Sequence, residues 1–222
     1  MRRFSFANLK NAGVTDTIIG ICLVMLGIGT VIPAVPQALC FIPPLGLAEP
    51  YRFITSAFLH SGFWHFAFNM LTLYLVGTQL ERELGRVRYA ALFLISACAG
   101  NVGVLVWAAT VGTPFTAVVG ASGAVFGLFG ALLAFAGVGS PNFKSILVLV
   151  LINLAYGFLN PGISWQSHVA GFIGGYALAW LWHRTATVPR RYAGWLDAGA
   201  AMGIALVLAA IAYGSIHFLW GL

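Results

Sequence analysis

Seven apolar stretches, at about 17–35, 63–80, 89–111, 118–138, 144–160, 167–183 and 198–220, take up most of this 222-residue chain. Each is bounded by charge, Pro or Gly, and each comes near the roughly 20 residues that cross about 30 Å of hydrocarbon at about 1.5 Å per residue. Charged residues are 7% of the chain and hydrophobic ones 60%, with a mean hydropathy of +0.94; a soluble domain carries roughly 25% charged residues. The pattern predicts an all-α fold, a polytopic membrane helix bundle with no room for a soluble domain. The fifth stretch, together with the sixth, is the shortest. No repeat relates the two halves, which weighs against the duplicated architecture of many transporters.

Seven spans assign each connection to one side of the bilayer. Arg2, Arg3, Lys10, Arg82, Arg86, Arg88, Lys144, Arg184, Arg190 and Arg191 then share one side, and Arg52 alone takes the other. By the positive-inside rule the N-terminus is cytoplasmic and the C-terminus is outside. The net charge of +6 is accounted for by orientation and by attraction to anionic lipid, so no nucleic-acid partner is implied. Met1-Arg2-Arg3 before an apolar run imitates a signal peptide or a transit peptide, but the run is long and Leu39-Cys40 lacks the small residue of a lipoprotein site; it is read as an uncleaved first span. Cys22, Cys40 and Cys98 are dispersed and odd in number, which suggests neither disulfides nor zinc. The connection from about 36 to 62 is long, outside, and apolar enough to lie in the membrane interface.

Strongly polar groups inside a span are costly, so each calls for a reason. They are His65 and Asn69 in the second span, Asn101, Ser122, Asn153, His168 and His217. Spans two, four and six all run inward, which puts His65, Asn69, Ser122 and His168 at similar depth in the outer leaflet, Ser122 about 10 Å down if the segment before it is helical. Gly171 and Gly175 share a face with His168, and Gly123 and Gly127 are spaced by four, a small-residue pattern that lets membrane helices meet closely. A serine hydroxyl needs a neighbouring base, and histidine suits that task. Of the acids Asp16, Glu49, Glu81, Glu83 and Asp197, only Glu49 lies outside. The expectation is therefore a dyad of Ser122 and His168 without a carboxylate. His65 and Asn69, at i and i+4, are candidate oxyanion donors together with the Ser122 amide, and Gly120 and Gly123 free the backbone to turn there.

Each signal has a plainer reading. Gly120-Ala121-Ser122-Gly123 alone could be helix packing, and position 124 is Ala where the soluble-hydrolase elbow has Gly. His65 with Asn69 could be interhelical glue, and His168 a satisfied packing residue. His60 precedes His65 by five residues, but there is no HExxH pattern and no third ligand nearby, so no metal is expected. His217 is read as structural, Glu81-Arg82-Glu83 as a helix-end ion-pair cluster, and Asn101 and Asn153 as interhelical hydrogen-bonders.

From Tyr51 to Leu181 the chain resembles the rhomboid family of intramembrane serine proteases. His65 to Asn69 is similar to the family's HxxxN, Gly120 to Gly123 to its GxSG, and His168 through Gly171 and Gly175 to its HxxGxxxG. The resemblance implies Ser122 as nucleophile, His168 as base, His65 and Asn69 as oxyanion donors, and a six-helix core with an additional C-terminal helix. It gives a layout of a cytoplasmic N-terminus (1–16), a catalytic core (17–183) and a basic linker with the seventh helix (184–222). It also implies no cofactor, and substrates that are transmembrane proteins in the lipid bilayer, cut near the outer face, with a bacterial cytoplasmic membrane as the expected location and the oligomeric state left open. A catalytically silent binder or chaperone of membrane proteins is the alternative. Two positions depart from the family: Tyr51-Arg52 stands where Trp-Arg is frequent, with a structural role expected for Arg52, and Phe126 stands where many members have Tyr on the catalytic histidine. Water and substrate must both reach Ser122, and the fifth span with the loop from about Asn160 to Gln166 are the segments expected to move.

Overall fold

The computed structural model describes residues 12–111, 117–136, 140–160, 162–185 and 190–220. Arg2, Arg3 and Lys10, and with them most of the expected cytoplasmic N-terminus, lie outside the described residues.

Helix α1 (Val14–Val31) starts after Gly13, whose N–H donates to the Asp16 carboxylate at 3.2 Å. It ends earlier than the apolar stretch does, because Ile32 leaves helical geometry ahead of Pro33, and a residue before proline is pushed away from the α region. The chain resumes as α2 (Ala34–Leu39), then crosses the outer connection through tight turns and α3 (Arg52–Thr55). Arg52 is buried there: Nη1 donates to the Gln37 and Cys40 carbonyls at 3.0 and 2.7 Å, and Nε to Glu49 at 2.5 Å. One guanidinium thus closes the outer loop on itself, the structural role expected of it. A hydrogen bond from the Tyr51 hydroxyl, followed by those from Arg52, holds the Glu49 carboxyl below the usual carboxylate range.

The second span is built of three pieces: α4 (Phe63–Thr72), a π-helical turn (Leu73–Gly77) and α5 (Thr78–Leu84). The wider turn faces crowded neighbours, since a Cβ on Gly77 would collide with the Tyr89 hydroxyl. Gly85, at φ 78°, reverses the chain into α6 (Arg86–Val111). There follow α7 (Ser122–Ala136), α8 (Pro141–Leu159), α9 (Trp165–Thr185) and α10 (Arg190–Trp220). The Ser140 hydroxyl accepts from the Phe143 N–H at 3.0 Å and Pro141 takes the first turn of α8, a standard helix start. The fifth span was expected to be among the shortest; α8 has 19 residues and α7 only 15. The difference arises because part of the fourth apolar stretch is extended chain rather than helix.

Helices α7 and α9 meet backbone to backbone. A Cβ on Gly171 would fall under 3.0 Å from the Gly123 carbonyl, and one on Gly175 likewise from Gly127, so two facing glycine pairs set this approach. Helix α6 packs on both, with the Ser167 hydroxyl wedged against Gly100 and Gly123. Helix α10 is held at its basic end: Asp197 pairs with Arg88, accepts from Thr185 Oγ1 at 3.3 Å, and its carbonyl accepts from Trp182 Nε1 at 3.1 Å. Glu81 reaches across from α5 to cap α1, accepting from the Val14 and Thr15 N–H groups at 2.7 and 2.9 Å. Its ion partner is Arg86, at 4.0 Å, not its neighbour Arg82.

Large apolar side chains cover the outside, among them Ile152, Leu206, Val207 and Phe218, each more than half exposed. An exposed apolar surface of this extent fits burial in a bilayer. Among the described residues three helices, Val14–Val31, Arg86–Val111 and Tyr192–Phe218, are long and apolar enough to cross a membrane, and Ser122–Ala136 and Phe143–Leu159 are shorter apolar helices.

Candidate active site

The segment before Ser122 departs from the sequence reading. Val118 is extended and bridges Phe41 of the outer loop through N–H to carbonyl bonds of 3.0 and 2.8 Å. Gly120 follows at φ 127°, a region open in practice to glycine alone, and donates its N–H to the Ser56 carbonyl at 2.9 Å. Helix α7 therefore begins at Ser122 itself, not a turn earlier, so the estimate of depth made by counting that segment as helix does not apply. The correction has a chemical consequence: the free N–H groups of a helix N-terminus lie at the serine.

Ser122 Oγ lies near His65. Both Ser122 Oγ and the Cε1–Nε2 edge of His65 come within 4 Å of the point where a Cβ on Gly120 would sit, so any side chain there would displace the imidazole. The other edge of His65 faces Ser61, whose backbone N–H lies 3.4 Å and whose hydroxyl 3.0 Å from Nδ1. An amide N–H can only donate, so Nδ1 accepts and the ring proton belongs on Nε2, the nitrogen turned toward Gly120. Asn69 is buried one turn below, and its Nδ2 donates to the His65 carbonyl at 2.8 Å. One of its two N–H bonds is used in this way and the other is left.

His168, near the start of α9, is buried. Its ring stacks on Phe126 with centroids 4.2 Å apart and planes 10° from parallel. Phe126 is one turn below Ser122 on α7, and Gly123 and Gly171 hold the two helices together at that level. Phe126 thus keeps the ring contact expected at this position. The His168 Nδ1 edge faces Gly157 of α8, and Nδ1 has no hydrogen-bond partner. Among the described residues no hydrogen bond joins the Ser122 hydroxyl to His168; serine–base bonds of this kind are often long until substrate is bound.

His60 stands edge-on to His65 with centroids 5.1 Å apart, and both its ring nitrogens lack partners. Burial, with the charge of His65 adding to it, pushes its imidazole down to about 4. Among the described residues no three His, Cys, Asp or Glu side chains converge to hold a metal. Asn101 bridges elements as expected, donating to the Phe53 carbonyl at 2.9 Å and to Ser56 Oγ at 2.8 Å. Asn153 does not: it bonds back to Leu149 of its own helix at 2.8 Å, on an exposed face where no partner helix is in reach. Ser56 and Gly157 carried no signal in the sequence, since each acts on a residue that only the fold brings near; Ser61 is four residues before His65, and the turn into α4 is what sets it on Nδ1.

The profile of the rhomboid domain matches residues 47–185 of this chain. The chain belongs to the rhomboid family. Among its relatives, "Putative rhomboid protease YdcA" of Bacillus subtilis (strain 168) is 37% identical over 145 residues, 62% of this chain and 70% of that protein. "Rhomboid protease GluP" of the same organism is 37% identical over 136 residues, 59% of this chain and 26% of the relative. "RHOMBOID-like protein 5" of Arabidopsis thaliana is 34% identical over 140 residues, 60% and 44% of the two chains. The alignments thus cover less than half of the latter two proteins. In all three the match falls short of the whole of this chain, and the rhomboid profile stops before α10.

Proposed function

We propose that this rhomboid is an intramembrane serine endopeptidase that cleaves transmembrane proteins near the outer membrane face. The observation that carries the reading is the convergence at Gly120: the Ser122 hydroxyl and the protonated edge of His65 on either side of it, with His168 stacked on Phe126 one turn below. In this mechanism His168, protonated on Nδ1, takes the Ser122 proton on Nε2 as the hydroxyl attacks a substrate carbonyl. The oxyanion accepts from His65 Nε2–H, from the Ser122 N–H, and from the second Asn69 N–H once substrate is seated. His168 then passes the proton to the leaving amine, and water releases the acyl group by the same route. Phe126 fixes the plane of the base, a task that falls to a carboxylate in soluble triads.

The arrangement that goes with this chemistry is a core of six spans with α10 as a seventh, the N-terminus inside and the C-terminus outside, in a bacterial cytoplasmic membrane. The basic residues support that orientation, and the active site then opens toward the outer face. A helix hides its carbonyls in backbone bonds, so substrates are expected to unwind locally and to come past α8 and the loop that follows it.

The test is reaction of the detergent-solubilised protein with a fluorophosphonate. Wild type is labelled, and Ser122→Ala and His168→Ala are not. Labelling undiminished in Ser122→Ala removes the proposal, and a wild type that never labels yet still captures membrane proteins favours the silent binder.

A further inference from the structure

The general base of this site has an unsolved hydrogen-bond problem. For Nε2 of His168 to accept the serine proton, Nδ1 must carry hydrogen, and a buried N–H without an acceptor is a rarity. His168 Nδ1 is buried with no hydrogen-bond partner, so nothing on its own helix or on α7 serves it. What covers it is Gly157 of α8: a Cβ there would sit 3.2 Å from Nδ1 and 3.3 Å from Ile163 Cγ2. Val150 anchors α8 in the core, with Ile146 and Leu154 packed beside it, while Val148, Leu149, Ile152 and Tyr156 face outward. Gly157, buried beside the base, lets α8 lie flat on the imidazole edge and offers it nothing to bond.

We propose that Gly157 is a positioning residue that makes the place of α8 a switch on the base: with α8 seated, His168 Nδ1–H is sealed from any acceptor, and when an arriving substrate lifts α8, water reaches Nδ1. An acceptor on Nδ1–H favours the imidazolium that forms as Ser122 attacks, so opening the path for substrate and strengthening the base are one motion. The inference rests on the reading of His168 as general base. The groups placed around the ring are Phe126 from α7, Gly157 from α8 with Ile163 of the loop beside it, and His65 from α4, the titratable neighbour in electrostatic reach. No carboxylate is among them, so α8 is the element able to change what Nδ1 sees.

The experiment measures the rate of fluorophosphonate labelling against pH for wild type, Gly157→Ser and Gly157→Ala. Serine brings a hydroxyl oxygen to Nδ1 while α8 is seated, whereas alanine adds the same carbon without an acceptor. Favouring the charged imidazole moves its titration upward, so the acid limb of the Gly157→Ser profile shifts up by about half to one pH unit, and that of Gly157→Ala stays at the wild-type position. Equal midpoints in all three, or equal shifts in Ser and Ala, overturn the inference. If the variants do not fold, wild-type protein with 15N-labelled histidine decides. With α8 tied to the second span by a disulfide, the His168 Nδ1–H exchanges slowly with solvent, and after reduction it exchanges fast; the same rate in both forms overturns it. Labelling that survives His168→Ala removes the reading of the base itself, a different outcome from an unmoved pH limb in a protein that still needs His168.

Discussion

Gly171→Ala probes the contact on which the whole site depends. A Cβ at this position would stand 2.8 Å from the carbonyl carbon and 3.1 Å from the Cα of Gly123, and nearer still to its oxygen. All are backbone atoms, so no side chain can turn aside, and α7 and α9 must part by about 1 Å to restore ordinary contact. Overpacking of this kind costs about 1–3 kcal/mol. In the proposed dyad the effect on chemistry is larger in proportion, because Ser122 is on one helix and His168 on the other, and a displacement of about 1 Å between reacting groups costs on the order of 100-fold in rate. Thermal unfolding in detergent and the fluorophosphonate labelling rate read the two effects separately. Gly203→Ala is the control: nothing lies within 4 Å of a Cβ there, and in a helix the change is neutral or favourable by up to about 1 kcal/mol. A Gly171→Ala protein with the stability and labelling rate of wild type would refute the claim that direct backbone contact sets the geometry of the dyad.

Phe126→Leu removes the ring under His168 while keeping the volume apolar; stacking of this type is worth about 0.5–1.5 kcal/mol, so labelling is expected to slow by up to about tenfold, with the unfolding temperature little changed. Glu81→Gln weakens the acceptors that cap α1, at a cost of about 1–2 kcal/mol, seen as an earlier unfolding transition or as proteolysis near Gly13; an unchanged protein would mean α1 holds its place without the cap. Glu49 has a carboxyl held low by Tyr51 and Arg52, so its contribution to stability is present above the unfolded carboxylate value and is lost as pH falls through the folded one. The unfolding midpoint should therefore decline as pH falls below the ordinary glutamate value of about 4.3, and Glu49→Gln should flatten that part of the profile.

Much of this protein is legible along the chain because a bilayer imposes a local rule. Any segment that crosses must be apolar over its own length, so five of the seven stretches match a single helix within about four residues, α4 to α5 supplies the second across its π-turn, and α10 runs further toward the basic linker than its apolar stretch. The same rule makes His65, Asn69, Ser122 and His168 conspicuous, and they were found before any contact was known. Where hydropathy misled, it did so for a definite reason: the residues before Ser122 are apolar but extended, because Val118 finds its hydrogen bonds on Phe41, some 77 positions away in a loop with no periodicity of its own. Asn153 was misread for the converse reason, since an asparagine in a helix can satisfy itself on the carbonyl four residues back.

Hydropathy, charge and spacing along the chain determined the membrane class, the spans and the candidate dyad. Only the tertiary structure decided the arrangement: the start of α7 at Ser122, the Ser61 N–H against His65 Nδ1, the ring of Phe126 against His168, and Gly157 against the Nδ1 edge of His168. Hydropathy and helical period are properties of consecutive residues, whereas each of these contacts joins atoms that belong to different elements or depends on a turn without periodicity. Their geometry is set by backbone approach at glycines and by bonds to loop carbonyls, and it exists only when the bundle is packed.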